Sequence, residues 1–241
     1  MTDPAARDSL MSAEDNRRMF DRIARRYDRM NAILSLGLDR RWRRRAVSAL
    51  DPRPGRRYLD VGCGTGDMAM EILRRSPGSE VIGIDPSHRM LDLAAERARR
   101  AGLSDGLALR VGDATELAFA DASFAGVVTA FCIRNVTRRA RALAQMRRVL
   151  APGGRLVILE LTVPDGRVLR LGHRLYTGWL VPLAGRLLAR DAEAYRYLVD
   201  SVRDFSPPRE LLAAMGEAGF AHPRHERLLG GTVTIFLGHV E

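Results

Sequence analysis

The sequence predicts an α/β protein with a doubly wound, mostly parallel sheet, and two observations lead to this fold class. From Tyr58 onward, short apolar segments alternate with segments of helical periodicity, as in proteins whose parallel strands are joined by helices. A glycine-rich turn directly follows the first of those strands, which is typical of Rossmann-like sheets. The chain has 241 residues, enough for one large domain with its own core.

The N-terminal quarter has a different pattern, and we expect it to form a helical cap on that sheet. Residues 1–16 are interpreted as a flexible tail and residues 17–57 as the cap. Phe20, Ile23 and Tyr27 recur at spacings of three or four residues, as on one face of an amphipathic helix. The segment LGLDRRWRRRAVSAL predicts a second amphipathic helix, and the helix breakers of DPRPGRR end the cap.

Residues 58–241 are expected to form the core, with five parallel strands and the helices between them. The strand segments are YLDVG, VIGID, LALRVGD, GVVTAFCI and RLVILEL, and the helix segments are MAMEILRRS, PSHRMLDLAAERARRAG and RALAQMRRVL. The APGG segment predicts a turn before the fifth strand. Residues 164–204 are apolar but interrupted by glycine, proline and arginine, which predicts an inserted lid of helical pieces.

The C-terminal part is expected to contain one more helix and a final hairpin. In SPPRELLAAMGEAGF, Ser206 is the predicted N-cap, Pro207 the first helical residue and Gly219 the terminator. The segment LLGGTVTIFLGHV then predicts one or two strands that form a hairpin at the sheet edge.

The charge distribution points to an anionic partner. All 39 basic residues are arginine, so catalysis through a lysine Schiff base is excluded. Residues 1–57 contain 15 arginines and 8 acidic residues, so +7 of the total net charge of +10 lies there. Such an excess favours nucleic acid or a phospholipid surface as the partner. The two cysteines and the absence of an apolar signal segment favour a reducing, cytoplasmic compartment.

The strongest functional signal is the glycine-rich turn together with two acidic strand ends. The motif D-x-G-x-G-x-G consists of Asp60, Gly62, Gly64 and Gly66, directly after a predicted strand. Asp85 ends the next strand, 19 residues past Gly66, where an acid can accept hydrogen bonds from a ribose diol. Asp113, followed by Ala114, ends the third strand. Because the carboxyl ends of parallel strands meet at one sheet edge, the three loops are expected to bind one nucleoside.

The position of the acids indicates which nucleoside this is. A dinucleotide site usually has G-x-G-x-x-G, with the pyrophosphate at the helix N-terminus. Here the third glycine comes one residue early and Asp67 lies at the helix start, where its carboxylate would repel a pyrophosphate. Asp60 and Asp67 instead suit a ligand with a sulfonium and an ammonium group. We therefore expect S-adenosylmethionine as the cofactor.

These segments resemble the class I S-adenosylmethionine methyltransferases, and others narrow the resemblance. DVGCGTGD, GIDPSHRML, GDATELAFADASF and RRVLAPGGRLVILEL carry the general pattern. MFDRIARRYDRMNAILSLGLDRRWRR, FCIRNVTRRARAL and DAEAYRYLVDSVRDF resemble the ubiquinone/menaquinone biosynthesis C-methyltransferases, over roughly residues 17–240. The resemblance implies that Thr65, Asp85, Asp113 and Ala114 contact the cofactor, while Asp60, Gly62 and Gly64 shape its pocket.

By the same resemblance the reaction is methylation of a ring carbon of a polyprenyl hydroquinone. Such a reaction needs positioning of the acceptor ring, exclusion of water, and removal of one proton from a hydroxyl group and one from the ring carbon. It needs no metal. Arg134 and Asn135, after the fourth strand, are the candidate catalytic residues, because one can stabilise a phenolate and the other can bind ring oxygens. The candidate substrate-binding residues are Tyr27, His173, Tyr195 and, as a further tyrosine, Tyr197.

A lipid substrate would also explain the basic cap, since the enzyme must visit an anionic membrane surface. Arg40, Arg41, Arg43, Arg44 and Arg45, with Trp42 and Leu38, resemble the start of an interfacial helix. We expect a cytoplasmic protein, peripheral at the inner face of the membrane, without nucleic acid and with a homodimer left open. The alternatives are a phospholipid or small-molecule N- or O-methyltransferase, a nucleic-acid-associated methyltransferase and a non-catalytic cofactor-binding protein.

Overall fold

The computed structural model describes residues 11–164, residue 166 and residues 192–241, and a seven-stranded sheet lies at its centre. The strands are β1 (Arg57–Val61), β2 (Glu80–Asp85), β3 (Leu107–Val111), β4 (Phe124–Ala130), β5 (Leu150–Leu161), β6 (Ala221–Leu228) and β7 (Val233–His239). Their order across the sheet is β3-β2-β1-β4-β5-β7-β6. The five strands β1 to β5 run parallel to one another, and β7 is antiparallel to both β5 and β6. The predicted doubly wound, mostly parallel sheet is confirmed.

Helices cover both faces of this sheet. They are α1 (Ala13–Leu34), α2 (Asp39–Leu50), α3 (Asp67–Arg75), α4 (His88–Arg100), α5 (Arg139–Val149), α6 (Ala192–Arg203) and α7 (Pro208–Glu217). On one face, Leu143 of α5 and Met215 of α7 belong to the same buried cluster as Phe236 of β7. On the other, Val47 of α2 and Ile72 of α3 share a cluster with strand residues. Burial from both sides explains why the central strands are nearly continuous apolar runs.

The two predicted cap helices are present, with shifted boundaries. Helix α1 begins at Ala13, where the Ser12 hydroxyl oxygen accepts the backbone N–H of Asp15 at 3.1 Å. It therefore starts four residues before Arg17, and residues 13–16 are helical rather than part of the tail. Helix α2 begins at Asp39, because Leu36 and Gly37 have φ angles of 52° and 74° that interrupt the helical backbone.

The C-terminal elements correct three local predictions. Pro207 is the N-cap of α7, so the predicted cap at Ser206 is wrong; the Ser206 hydroxyl oxygen accepts a hydrogen bond from Arg139 Nη1 at 3.1 Å. Gly219, with φ of 88°, ends the helix as expected. Strand β5 already begins at Leu150 and includes the APGG segment, with a register shift there. The final hairpin is confirmed, but its first strand is β6, which precedes the predicted segment.

Candidate functional site

A cavity lies at the carboxyl edge of the sheet, where the strand order changes direction between β1 and β4. Its walls are the loops that follow β1, β2, β3 and β4, together with the N-terminal half of α1. Open α/β sheets bind ligands at such a switch point. Six predicted site residues line it: Gly62, Gly64, Asp85, Asp113, Ala114 and Asn135. The convergence of the strand-end loops on one cavity is therefore confirmed.

The two glycines in the first loop meet different requirements. Gly64 has a φ of 53°, and a Cβ atom built there would have no neighbour within 4 Å, so bare backbone borders the cavity. At Gly62, a Cβ atom would lie 2.3 Å from the sulfur of Cys132, so glycine is needed for the loop after β4 to pack closely. Gly64 therefore opens the site to a ligand, and Gly62 lets the loops after β1 and β4 pack against each other.

Asp85 joins the first and second loops. One carboxylate oxygen accepts the backbone N–H of Gly64 and the other that of Ser87, both at 2.9 Å. Burial raises the pKa of Asp85 to about 6, against the lowering effect of these two hydrogen bonds. Each carboxylate oxygen retains a lone pair, so Asp85 can still accept a hydrogen bond from a hydroxyl group in the cavity.

The third loop is held by its own acid. Asp113 Oδ1 accepts the backbone N–H of Thr115 at 2.6 Å, which fixes a tight turn at Ala114. Arg138 Nη2 donates to the Thr115 hydroxyl at 3.0 Å from beyond β4. Asp113 therefore shapes the wall at Ala114 and also borders the cavity itself.

Asp60 and Thr65 lie next to the cavity without lining it. One oxygen of Asp60 accepts the backbone N–H of Ala69 at 3.1 Å, while Oδ1 has no hydrogen-bond partner among the described residues. Burial raises the pKa of Asp60 to about 7. The Thr65 hydroxyl donates to Asp28 of α1 at 2.7 Å, so it fastens α1 to the first loop.

Asp67 does not face the cavity, and the expectation that it meets a cationic group of the cofactor is wrong. Its carboxylate lies 2.5 Å from Arg97 Nη2 and 3.6 Å from Arg43 Nε. Burial alone would raise the pKa of Asp67, but the two guanidinium groups outweigh it and lower that pKa. The guanidinium of Arg43 also lies over the ring of Phe131, at 5.0 Å from its centroid, and Phe131 is a cavity wall.

Of the two candidate catalytic residues, only Asn135 lines the cavity. Both belong to a short helical turn after β4, Ile133–Asn135. The side chain of Arg134 is 4% exposed and forms an ion pair of 2.5 Å with the fully buried Glu160. It also donates to the carbonyl oxygen of Phe131 at 2.7 Å and to the Ser201 hydroxyl at 3.3 Å. Arg134 therefore holds the loop after β4 against β5 and α6.

The predicted tyrosines and histidine have different outcomes. Tyr27 lies in α1 and Tyr195 in α6, but the structure does not describe their side chains, and His173 lies outside the described residues. Tyr197 of α6 is placed at the site: its hydroxyl donates to Asn135 Oδ1 at 3.1 Å and accepts from Asn16 Nδ2 at 2.8 Å. The sequence reasoning missed Asn16 and Phe20, two cavity residues one helical turn apart on α1.

These features fit S-adenosylmethionine. The bare backbone at Gly64 permits the close approach of a ligand, and Asp85 offers acceptors to a ribose diol. Oδ1 of Asp60 has no partner among the described residues, and a cationic ligand above this loop would favour the ionised form of that carboxyl. Met90 and Phe131 supply apolar walls for an adenosine and a methyl group.

The comparisons with known proteins agree with this arrangement. A family model described as the ubiE/COQ5 methyltransferase family matches residues 10–240. The chain is 42% identical to a demethylmenaquinone methyltransferase of Thermus thermophilus over 220 residues, 91% of this chain and 99% of that protein. It is 40% identical to a ubiquinone/menaquinone biosynthesis C-methyltransferase of Geotalea uraniireducens over 221 residues, 91% of this chain and 94% of that protein. A solved S-adenosylmethionine-dependent methyltransferase from Thermotoga maritima superposes with a TM-score of 0.65 at 20% identity, covering 93% of this chain and 99% of that one, which supports the fold.

Proposed function

Because the chain belongs to the ubiE/COQ5 methyltransferase family, we propose that it transfers a methyl group from S-adenosylmethionine to a ring carbon of a polyprenyl hydroquinone. Demethylmenaquinol is the first candidate, since the related methyltransferases of Thermus thermophilus and Geotalea uraniireducens are both named for menaquinone chemistry. The observation that carries the proposal is that the cofactor loops and Asn135 of the FCIRN segment line one cavity. A benzoquinol acceptor is the second candidate.

The cofactor supplies a methyl group already activated on a sulfonium, so the protein must mainly position the acceptor ring and exclude water. Asp85 and the backbone at Gly64 would hold the ribose side, and the turn at Ala114 would border the adenine. Phe20 of α1 and Phe131 after β4 line the cavity and would keep water away from the transfer. The reacting carbon would then approach from the side of Asn135.

The ring must also lose a hydroxyl proton to become a good carbon nucleophile. Asn135 lines the cavity and can donate a hydrogen bond to the resulting phenolate oxygen. Arg134 takes the role of a positioning residue in our proposal, because its guanidinium is engaged by Glu160, Phe131 and Ser201. It keeps Asn135 and the wall at Phe131 in place.

Quinone profiling of a host that lacks this protein tests the proposal. We expect the demethyl quinone to accumulate, wild-type chain to restore methylation, and Asp85→Asn to restore it poorly. Asp105→Asn, a change at an exposed site outside the cavity, is the matched control and should restore it fully. If quinones are unchanged and the purified chain labels only phosphatidylethanolamine, the proposed acceptor is wrong.

We also propose that the chain works at an anionic membrane surface, through the corner between α1 and α2. Ile33 and Leu36 are 45% and 82% exposed there, and Arg40, Arg41 and Arg44 are exposed beside them. Apolar side chains rimmed by arginines are typical of interfacial segments. Two arginines of the predicted set act elsewhere: Arg43 pairs with Asp67, and Arg45 with Glu226 at 3.0 Å. Within the described part of the chain, no helix is long and apolar enough to cross a membrane.

Vesicle co-sedimentation tests this surface, with phosphatidylglycerol–phosphatidylcholine vesicles against pure phosphatidylcholine. Each basic residue near such a surface contributes about 1 kcal/mol, so changing Arg40, Arg41 and Arg44 to glutamine should weaken binding by up to about 100-fold. Changing Arg74, Arg99 and Arg224 to glutamine removes the same charge elsewhere and should have much less effect. Leu36→Asp should also weaken binding, unlike Leu229→Asp at another exposed leucine. Equal effects of the paired variants would contradict this docking surface.

A further inference from the structure

We infer that Tyr197 is a positioning residue that orients two carboxamides, Asn16 and Asn135, so that the acceptor end of the cavity selects the reduced ring over the oxidised one. This inference rests on the proposed function for the identity of the ring. Tyr197 does not itself line the cavity, whereas both asparagines do. Its role is therefore to set how those two side chains face the acceptor.

The hydroxyl of Tyr197 connects three elements that are far apart in the sequence. Asn16 comes from α1, Tyr197 from α6, and Asn135 from the turn after β4. Asn16 Nδ2 donates to the tyrosine oxygen at 2.8 Å, and the tyrosine donates its proton to Asn135 Oδ1 at 3.1 Å. Asn16 is only 9% exposed, so these contacts are shielded from bulk water. Burial raises the pKa of Tyr197, which keeps the hydroxyl protonated and able to donate.

This chain of hydrogen bonds has a direction, because a phenol has one proton to give. Once that proton is donated to Asn135 Oδ1, the amide of Asn135 is left with Nδ2 as a donor. The tyrosine oxygen accepts from Asn16 Nδ2, so the amide of Asn16 is left with Oδ1 as an acceptor. Neither remaining atom has a hydrogen-bond partner among the residues that the structure describes. Without Tyr197, both amides could rotate and exchange their oxygen and nitrogen positions.

One donor group and one acceptor at the same end of a cavity match a hydroquinone. A ring hydroxyl can donate to Asn16 Oδ1, and a ring oxygen that becomes a phenolate can accept from Asn135 Nδ2. The corresponding quinone has only carbonyl oxygens, which accept and cannot donate. It would leave Asn16 Oδ1 without a donor, and an unpaired buried acceptor weakens binding roughly 10-fold or more. The selectivity suits the chemistry, because only the reduced ring is a carbon nucleophile.

Tyr197→Phe tests the inference, since it removes the hydroxyl and keeps the ring. The probe is a 1,4-naphthoquinone with one short prenyl chain, used oxidised or reduced under anaerobic conditions, with S-adenosylhomocysteine present. In wild-type protein we expect the reduced form to bind roughly 10-fold tighter than the oxidised form. In Tyr197→Phe this ratio should fall toward one, and the affinity for S-adenosylhomocysteine should be unchanged. Turnover assays with S-adenosylmethionine should then give a raised KM for the reduced ring.

Tyr58→Phe is the matched control, because Tyr58 also loses a hydroxyl with two partners, the backbone N–H and carbonyl of Arg53, away from the cavity. It should lower stability and leave the reduced-to-oxidised ratio unchanged. A ratio that stays the same in Tyr197→Phe, or a wild-type protein that binds both forms equally, overturns the inference. A wild-type protein that prefers the reduced ring but does not methylate it would instead contradict the proposed function.

Discussion

Replacing Arg134 by methionine separates a positioning role from a catalytic one, and the structure sets the size of the effect. Glu160 is fully buried and its carboxylate is 2.5 Å from Arg134 Nη1. Arg134→Met removes the cation and leaves a buried carboxylate without its charge partner. Breaking a buried pair in this way costs about 3–5 kcal/mol. For a chain of this size the melting temperature should fall by roughly 6–20 °C, at about 2–4 °C per kcal/mol.

Urea unfolding followed by circular dichroism measures this cost, and the chain offers two comparisons. The exposed pair of Arg57 and Glu80, at 2.8 Å, is the control, and Arg57→Met should cost less than about 1 kcal/mol. Adding Glu160→Gln to Arg134→Met removes the stranded charge and keeps one acceptor oxygen, which can serve one of the two backbone N–H groups, of Arg134 and of Leu161, that the two carboxylate oxygens accept. The double variant should regain a large part of the lost stability, less the cost of the one N–H group that the amide leaves unpaired.

The double variant also tests the role of Arg134 in the reaction. If Arg134 only holds the loop, the refolded double variant should retain kcat within about 10-fold and change mainly KM for the quinol. Loss of a directly acting proton-transfer group costs about 10²–10⁴ in rate. A loss of that size in a variant that still binds S-adenosylhomocysteine normally would refute the positioning role. A cost of Arg134→Met no greater than that of Arg57→Met would refute the reasoning about the buried pair.

Three further predictions concern the cofactor loops. At pH values below about 6, where Asp85 becomes protonated, the affinity for the cofactor should decrease, and calorimetry can measure this. The Asp85→Asn variant should bind the cofactor weakly at every pH and lose this pH dependence. The stability of the ligand-free chain should change in the opposite direction with pH. Folding raises the pKa of Asp85 from 3.8 to about 6 and that of Asp60 from 3.8 to about 7, so the free energy of unfolding should rise as pH falls from 7 to 4. Asp85→Asn should reduce this pH dependence of the stability. Gly64→Ala should lower cofactor affinity and cost only about 1 kcal/mol of stability, because its φ is 53°. Gly62→Ala should mainly destabilise the fold, since its Cβ atom would lie 2.3 Å from Cys132. Comparable stability losses of the two variants in denaturant would contradict this distinction.

The fold and the cofactor loops were predictable because local patterns determine them. Apolar strands, helical periodicity and a glycine turn between them depend on neighbouring residues, and the acids at Asp85 and Asp113 follow from strand ends. Strand β6 was missed because its sequence, AHPRHERL, is mostly polar, as an edge strand can be, and lacks the apolar run that marks the other strands. The cap at Ser206 was misplaced because Arg139, 67 residues away, engages its hydroxyl. Such partners depend on tertiary structure.

The orientation of the charged side chains was the least predictable feature of the site. Asp67 and Arg134 have residue types that suit a cationic cofactor and a phenolate, but each is engaged by an opposite charge from a distant part of the chain. Arg97 and Arg43 neutralise Asp67, and Glu160 neutralises Arg134. The sequence contains many arginines, and nothing in local spacing indicates which carboxylate each one meets. The residue type was therefore a weaker guide than the loop position.

Helix α1 links the N-terminal cap to the loops that border the cavity. Asp28 accepts from Thr65 of the first loop at 2.7 Å, and Asp21 accepts from Ser87 of the second loop at 2.5 Å. Through Tyr197, Asn16 of the same helix reaches the loop after β4. One helix is thus fastened to three of the four loops that border the cavity, and its Phe20 lines that cavity. An open sheet edge is common to many methyltransferases, but methyl transfer to a lipid quinol requires a dry, closed pocket. Helix α1 supplies part of that closure through Asn16 and Phe20, and α6 ties Asn16 to the loop after β4 through Tyr197.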